Sequence, residues 1–270
     1  MTLLNPEDRT NLGRQQMAKL LGKPENDPVT LYEASWRDFV FAEVWSRPAL
    51  EVRARYLISI AGIAESGVPS ERLDDYVRGA LVNKELTQLE LREAALHCAV
   101  YNGWSAGSVI DDAVTRMLEE LGIEAESFEP ICAQPWDPSR RHEEGAANFK
   151  DTMTFGAPPP FTPYFDAGIL SFVFGEMWNR PGLCQRSRRW LTLVGVSNSS
   201  SQVPIETHIY AAMASGNTTA EEMQEFVLQY AIHAGWPRAS VIQGVVIEMA
   251  KRVENNLDWQ GSDNKESEKK

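Results

Sequence analysis

The sequence has 270 residues, 43% of them hydrophobic, which is enough to bury the core of one large domain or of two small ones. Its formal net charge of −12 argues against nonspecific binding to nucleic acid or to an anionic membrane surface. No stretch approaches the roughly 18 consecutive apolar residues of a membrane span, and the N-terminus lacks the basic start and apolar run of a signal peptide. The three cysteines are scattered, which argues against a disulfide framework, and we expect a soluble cytoplasmic protein.

The first half of the chain has the pattern of successive helices. The motif FVFAEVWSRP occupies residues 39–48, and a helical hairpin is predicted over 72–83 and 87–102. Thr87 and Glu90 fit a T-x-x-E capping box, in which the two side chains cap backbone N–H groups at the start of a helix. No convincing alternation of apolar and polar residues indicates a strand.

The second half repeats the first. The motif recurs as FVFGEMWNRP at 172–181, with seven of ten positions identical. AVYNGWSAGSVI at 99–110 recurs as AIHAGWPRASVI at 231–242, with six of twelve positions identical. The two offsets are 133 and 132 residues, which is too long a period for a solenoid and indicates a tandem duplication of one domain.

The helical hairpin is predicted again in the second half, over 204–215 and 219–235. Thr219 and Glu222 repeat the capping box, and the apolar residues that follow them occupy one helical face. We therefore predict an all-α protein built as a tandem duplication, with about five or six helices in each copy.

The predicted domains follow from this repeat. A first domain spans 1–123 and a second spans 142–256. Between them, 124–141 contains three prolines and little periodicity, which is typical of a linker. The polar and charged segment 257–270 is expected to be a disordered tail.

The second half carries a combination of motifs that occurs in one known family. It contains E-x-W-x-R-P-x-L, then RSRRWLTLVGV, a histidine eight residues before a glycine, T-x-E-E, and E-x-x-x-Q-x-x-x-x-x-G-x-P. The combination resembles the carboxymuconolactone decarboxylase family, part of the helical superfamily that includes alkylhydroperoxidase D. The resemblance covers about residues 39–118 and 172–250, and it implies that each copy is an alkylhydroperoxidase D-like helical domain.

The resemblance also distinguishes two kinds of chemistry. The peroxidase branch of the superfamily uses C-x-x-C-x-x-x-H, but the positions aligned with its two cysteines are Ser201 and Pro204, ahead of His208. Because a serine cannot form a disulfide, thiol peroxidase activity is excluded. The decarboxylase branch commonly has an acidic residue four positions before its histidine. Here that position is Pro204, and the acid stands at Glu206.

The family resemblance makes His208 the candidate general acid/base, because histidine can hold or release a proton near neutral pH. Glu206 and His233 are further catalytic candidates. Gln229 lies one helical turn before His233 and shares its face. The candidate substrate-binding residues are Gln229, Ser201 and Trp236, with Arg186 and Arg188 as anchors for a substrate carboxylate.

Structural roles are also open for several of these residues. Both arginines recur at the same offset in the first half, as helix-packing or ion-pair residues would. His97 and His142 lie in no motif, so we expect both to be solvated. Repeated tryptophans are typical of core or interface anchors, and here they form the pairs Trp45 with Trp178 and Trp104 with Trp236.

The first half serves as a comparison within the same chain. Its apolar framework is preserved while the polar candidates are exchanged, so the two halves are not expected to share one chemistry. We therefore place the active pocket in the second half, with loops or helix ends of the first half as part of its wall. The exchanged residues are Tyr76 for His208, Asp74 for Glu206, His97 for Gln229 and Tyr101 for His233.

The resemblance implies cofactor-free, metal-free decarboxylation of a small carboxylated lactone such as 4-carboxymuconolactone. Two alternatives remain open: a cofactor-free isomerase or lyase acting on another lactone or a cyclic ketone, and a catalytically inactive helical scaffold or binding protein. Single-domain members of the family assemble into rings of dimers. The resemblance therefore implies a homo-oligomer here, most simply a trimer with a pseudo-hexameric layout.

Overall fold

The computed structural model describes residues 4–24, 26–128, 130–131 and 137–263. Every regular element in these ranges is a helix, so the predicted all-α class is confirmed. Within the same ranges, no helix combines the length and the apolar character that crossing a membrane requires.

Each half contains a long helix, a π-helix and then four further helices in the same order, and those four recur at the offset of the repeated motifs. The domain boundaries proposed from that repeat stay a prediction. The first half contains α1 (Pro6–Leu21), α2 (Leu31–Ser35), a π-helix (Trp36–Val44), α3 (Val52–Ala64), α4 (Glu71–Val82), α5 (Gln88–Asn102) and α6 (Trp104–Leu121). The second contains α7 (Pro138–Met153), a second π-helix (Tyr164–Phe174), a 3₁₀ turn (Met177–Asn179), α8 (Gln185–Asn198), α9 (Gln202–Ala214), α10 (Ala220–Ala234) and α11 (Trp236–Glu254).

The predicted capping boxes open α5 and α10. The Thr87 hydroxyl oxygen accepts a hydrogen bond from the Glu90 backbone N–H at 3.2 Å, and Thr219 accepts from Glu222 at 3.1 Å. At the other end of α5, Gly103 has φ 90°, a backbone conformation that favours glycine. Because this glycine turns the chain sharply, α6 begins at the next residue.

One hydrophobic core extends through both halves. Leu57 and Ile58 of α3 are fully buried in the same cluster as Leu191 and Val194 of α8. Helix α3 packs against α8 and α10, and α5 packs against α8. The second half therefore covers α3, and the first half covers α8.

Two buried ion-pair networks also join the halves. Glu225 of α10 is buried and accepts hydrogen bonds from Arg47 Nε at 2.8 Å and from Arg55 Nη2 at 3.1 Å. Both guanidinium groups come from the first half, so the carboxylate fixes α10 against it. The reciprocal network joins Glu93 of the first half to Arg180 and Arg188 of the second.

The repeated tryptophans fall into two classes. Trp45 and Trp178 are buried in the core, as expected of anchors. Trp104 and Trp236 are 66% and 56% exposed. For this second pair the core alternative is wrong, because each stands in the first turn of a helix that begins right after a glycine, with its ring on the outer surface. Their alternative role as interface anchors stays a prediction.

The ends of the predicted linker and tail are more ordered than expected. Helix α7 begins at Pro138, so the last residues of the predicted linker 124–141 are helical. Residues 257–263 form a closed turn instead of a disordered tail, because the Tyr210 hydroxyl donates to the Leu257 carbonyl at 2.9 Å and Trp259 packs against the core. The rest of the predicted tail, 264–270, and part of the linker, 129 and 132–136, lie outside the described residues.

Candidate active site

A cavity of about 580 Å³ lies in the second half, under the segment that joins α7 to the second π-helix. Its lining comes from α7, that π-helix, α8, α9, the C-terminal turn and the end of α5, which belongs to the first half. Most of the lining side chains are apolar or aromatic. They include Phe149, Phe155, Ile169, Phe174, Val196 and Trp259.

His208 of α9 lines this cavity and is only 9% exposed. Its Nδ1 atom is buried and has no hydrogen-bond partner among the described residues. Burial, and to a smaller degree the positive charge of Arg189, lower the pKa of His208 to about 3. The imidazole is therefore neutral at neutral pH, and it has capacity for a new hydrogen bond.

Tyr101, at the end of α5, is the nearest aromatic partner of His208. The two rings meet edge to face, with centroids 5.5 Å apart. The Tyr101 hydroxyl accepts a hydrogen bond from Trp178 Nε1 at 2.9 Å, and burial raises the pKa of Tyr101 to about 12. Tyr101 also lines the cavity, so the first half contributes directly to the site. In the repeat Tyr101 is the counterpart of His233, and the sequence predicted no contact between Tyr101 and His208.

His97 lies one helical turn before Tyr101 and is fully buried, so the expectation that it is solvated is wrong. Its Nε2 atom is 2.8 Å from the Thr192 hydroxyl, and its ring contacts both Tyr101 and Trp178 with centroids 5.0 Å apart. Burial lowers the pKa of His97 well below its usual value. His97 holds Tyr101 and Trp178 in place and does not line the cavity.

Arg189 is the buried cation behind this cluster. Its guanidinium lies 4.9 Å from the centroid of the Trp178 ring, Nε donates to Asn217 Oδ1 at 3.0 Å, and Nη2 donates to the Thr152 carbonyl. Burial lowers the pKa of Arg189 to about 10, so it stays charged at neutral pH. Its Nη1 atom is buried without a partner in the described ranges.

Only one of the other catalytic and substrate-binding candidates reaches the cavity with His208. Ser201, at the N-terminal boundary of α9, lines it. Glu206 is on the other side of the helix and accepts a hydrogen bond from Gln202 Nε2 at 2.9 Å. The acid that replaces the family's usual acidic position therefore faces away from the site, because a spacing of two residues puts it on a different helical face from His208.

Gln229 and His233 of α10 face the first half. Gln229 accepts from Arg55 Nη1 at 2.9 Å and donates to the Ser59 hydroxyl at 2.9 Å. His233 contacts Tyr76 at 6.1 Å and Trp36 at 6.3 Å between ring centroids, and burial lowers its pKa to about 4. The expectation that they share a pocket with His208 is wrong, because helix α10 directs this face toward α3 instead.

The two arginines proposed as carboxylate anchors are held in ion pairs. Arg186 Nη2 lies 2.6 Å from Glu222, and Arg188 Nη2 lies 3.2 Å from the buried Glu93. Neither lines the cavity, so the structural role that the sequence left open applies to both. Trp236 packs against Phe39 on the surface and is also absent from the lining.

The His208–Tyr101 pair has a counterpart formed by His233 and Tyr76. The first pair meets at an interplanar angle of 87° and the second at 84°. In the repeat, His208 corresponds to Tyr76 and Tyr101 corresponds to His233. The histidine of the first pair therefore stands on α9 and that of the second pair on α10, and a tyrosine takes the corresponding position in the other pair. The supporting hydrogen bonds correspond as well, with His97 to Thr192 at 2.8 Å and Gln229 to Ser59 at 2.9 Å.

The surroundings of the two pairs differ at a repeated position beside the histidine. The residue beside His233 is Trp36, and the repeat places Ile169 at the same position in the cavity of His208. On the outer side of Trp36 lies a polar groove of about 600 Å³, where the Arg72 guanidinium stacks over the indole at 4.8 Å. Neither His233 nor Tyr76 lines that groove. Trp36 therefore covers the His233–Tyr76 pair.

No grouping of three His, Cys, Asp or Glu side chains suited to a metal ion occurs in the part of the chain that the structure describes. The described cavity residues offer one titratable imidazole, several hydroxyl groups and a large apolar surface. This arrangement can desolvate a bound anion and transfer a proton next to it.

Comparisons with known proteins identify the family of this chain. The model of the carboxymuconolactone decarboxylase family matches residues 31–110. A 4-carboxymuconolactone decarboxylase of Acinetobacter baylyi is 30% identical over 131 residues, which are 46% of this chain and 96% of the relative. A nitrosuccinic acid decarboxylase of Metarhizium robertsii is 39% identical over 99 residues, 37% of this chain and 66% of the relative. This chain belongs to the carboxymuconolactone decarboxylase family.

Proposed function

We propose that this protein is a cofactor-independent decarboxylase that releases CO₂ from a carboxylic acid bound beside His208. The observation that carries the proposal is the position of His208, the one imidazole among the described residues that line a largely apolar cavity. The two named relatives, both decarboxylases, support the reaction class. An inactive scaffold is less consistent with this geometry, because neither Trp178 nor Trp236 fills the cavity.

The apolar lining supports the first step of the reaction. A carboxylate taken from water into this cavity loses its hydration, whereas the departing CO₂ is neutral and needs none. Breaking the carbon–carbon bond leaves an electron pair on the substrate, which a conjugated carbonyl, lactone or nitro group must accept. The carbon that lost CO₂ then takes up one proton, so that a carboxylate and a proton give CO₂ and a C–H bond.

His208 is suited to deliver that proton. Burial lowers the pKa of His208 to about 3, which keeps the imidazole neutral. A bound carboxylate favours the imidazolium form, because an opposite charge nearby raises the pKa of a histidine. The proton taken up with the substrate then lies beside the carbon that needs it after CO₂ leaves. Tyr101 restricts the orientation of the ring, since it packs edge to face against it.

The first substrate to test is a small carboxylated lactone such as 4-carboxymuconolactone. An isomerase or lyase acting on a neutral lactone or cyclic ketone is the second candidate, because none of the described side chains that line the cavity is Lys or Arg. A homo-oligomer, most simply a trimer with pseudo-hexameric layout, remains part of the proposal. Light scattering would measure its mass.

The decisive experiment compares His208→Ala with His233→Ala. Each variant removes one histidine from one of the two Tyr–His pairs, but only His208 lines the cavity. We expect release of CO₂ from 4-carboxymuconolactone by the wild type and by His233→Ala, and none by His208→Ala. Equal activity in both variants would remove His208 from the mechanism, and isomerised lactone without CO₂ would establish the second candidate.

A further inference from the structure

We propose that the His208 cavity selects acids with one carboxylate on a broad, flat apolar body, such as a fused aromatic ring system, over small acids with two carboxylates. 4-Carboxymuconolactone carries two carboxylates, so it is then a substrate with a high KM. The proposal deepens the proposed function and rests on it in one respect: it takes this cavity to be the substrate site. It is carried by the size of the cavity, the aromatic side chains around it and the distribution of charge.

The size of the cavity exceeds what a small acid fills. At about 580 Å³ it falls within the roughly 300–1,000 Å³ of pockets that bury drug-sized ligands. The same volume corresponds to about twenty water molecules at their share of the liquid. A ligand of a few carbons would leave much of the lining without contact, and lost contacts weaken binding.

Aromatic side chains form one continuous wall of the cavity. Phe149 lies between Phe174 and Phe155, with ring centroids 4.7 Å and 5.5 Å away. Phe155 in turn contacts Trp259 at 6.0 Å. A flat ring system can stack against such rings, and offset or edge-to-face contacts add to the burial of apolar area.

The distribution of charge leaves room for one carboxylate. No Lys, Arg, Asp or Glu occurs among the described residues that line the cavity. Arg189, the buried cation near the site, does not line it and already donates to Asn217 and Thr152. A carboxylate next to His208 gains a proton-bearing partner, whereas a second carboxylate elsewhere in the cavity would be desolvated without one.

The mouth of the cavity is compatible with a ligand that extends toward solvent. Tyr164 and Val203 line it and are 66% and 56% exposed. The hydroxyl groups of Ser199 and Ser201, both exposed, lie in the same lining. They can accept or donate hydrogen bonds to phenol or carbonyl groups on the far side of the ligand.

The first test measures binding of three unreactive acids by isothermal titration calorimetry. The probes are 2-naphthoic acid, benzoic acid, which lacks the second ring, and 2,6-naphthalenedicarboxylic acid, which adds a second carboxylate. We expect benzoic acid to bind about tenfold more weakly than 2-naphthoic acid because it buries less apolar area. The dicarboxylic acid should bind about a hundredfold more weakly because its second charge is left unpaired. Equal or tighter binding of either control acid overturns the proposal.

The second test uses a substitution that the chain itself provides. Ile169→Trp introduces the side chain that covers the equivalent His233–Tyr76 pair, and Ile247→Trp makes the same change on an exposed part of α11 outside the cavity. We expect Ile169→Trp to weaken 2-naphthoic acid binding by about tenfold or more, since filling a cavity excludes its ligand. Ile247→Trp should bind like the wild type.

Because Ile169→Trp can disturb packing, Val203→Trp provides an independent test at the exposed mouth. Circular dichroism verifies the fold of each variant. Unweakened binding of 2-naphthoic acid in folded Val203→Trp and Ile169→Trp would place the ligand elsewhere and overturn the proposal. The proposed function fails separately: tight 2-naphthoic acid binding with no CO₂ released from any acid contradicts decarboxylation but keeps the selectivity. CO₂ released from 4-carboxymuconolactone, with no binding of 2-naphthoic acid, supports decarboxylation and contradicts the selectivity.

Discussion

Tyr101 of the first half and His208 of the second half meet edge to face, with ring centroids 5.5 Å apart. Tyr76 of the first half and His233 of the second meet in the same edge-to-face arrangement, with ring centroids 6.1 Å apart. Each pair takes one ring from each half, so neither half alone contains a complete site. What separates the two pairs is the cavity, which only the first of them lines.

Tyr101 has two roles that substitution can separate. Tyr101→Phe keeps the ring beside His208 but leaves the buried Trp178 N–H without its acceptor, which should lower the free energy of unfolding by about 1–3 kcal/mol. Tyr101→Ala also removes the ring that orients His208, and we expect kcat to fall about a hundredfold. Steady-state kinetics and urea unfolding measure the two effects.

Tyr76→Phe is the matched control for the hydroxyl group. The Tyr76 hydroxyl is buried and has no hydrogen-bond partner within the described ranges. Its removal should therefore leave stability unchanged or increase it, and activity should not change. If Tyr101→Phe and Tyr76→Phe destabilise the protein equally, the Trp178 contact has no special weight. If Tyr101→Ala keeps the wild-type kcat, the ring does not position His208.

The buried carboxylates that join the halves should contribute more to the free energy of unfolding than the surface ion pairs do. Glu225→Gln removes the charge that balances Arg47 and Arg55, and an uncompensated buried charge costs about 3–5 kcal/mol. Glu93→Gln should have an effect of similar size on Arg180 and Arg188. Urea unfolding of both variants tests this.

Glu51→Gln supplies the comparison on the surface. Its carboxylate lies 3.0 Å from Arg186 but is 45% exposed, and such pairs contribute about 0–1 kcal/mol. A destabilisation of Glu225→Gln no larger than that of Glu51→Gln would contradict the view that the buried networks hold the halves together.

The two helical hairpins could be located from the sequence, because their capping boxes and apolar faces are local patterns. The capping boxes at Thr87 and Thr219 use residues three positions apart, and these contacts form wherever the local helix forms. The choice of His208 as a candidate rested on a family motif of similar range, and its catalytic role stays a prediction. The repeat relates His208 to Tyr76 and His233 to Tyr101, and these four residues form the two ring pairs.

The partners of each site residue could not be predicted in the same way, because they come from helices distant in sequence. Gln229 lies on the predicted face of α10, but α10 packs on α3, so its partner is Ser59 of the first half. Arg188 has the charge expected of a carboxylate anchor, but the carboxylate it binds is Glu93. The repeat shows that Ile169 occupies the position of Trp36. It does not show that Trp36 packs beside His233 while Ile169 leaves the cavity beside His208 open.

Substitution of Trp259 tests whether the C-terminal turn, residues 257–263, is part of the site. It lines the cavity and packs against Phe155 at 6.0 Å. Trp259→Ala should raise KM about tenfold through lost apolar contact and leave kcat nearly unchanged, because the contact is the same in the ground state and the transition state. Trp236→Ala, a large exposed tryptophan outside the cavity, should change neither constant. A lowered kcat at unchanged KM in Trp259→Ala would contradict this role.

Buried neutral histidines should make the protein sensitive to mild acid. The folded pKa of His208 is about 3, whereas an unfolded histidine titrates near 6.5. Below pH 6.5 the unfolded state therefore binds a proton that folded His208 does not, and stability falls as the pH is lowered. Through His208 alone, the free energy of unfolding should decrease by about 2 kcal/mol from pH 7 to pH 5. His97 and His233, whose folded pKa values are also lowered, add to the effect.

Glu222 and Glu225, whose pKa values are lowered, stay ionised from pH 7 to pH 5 and do not contribute to the change over this range. His208→Gln removes one titrating group at similar size. Urea unfolding at the two pH values should show that the variant loses about 2 kcal/mol less than the wild type over this range. The same pH dependence in both proteins would mean that His208 is protonated in the folded state, and it would remove the basis for proton uptake on substrate binding.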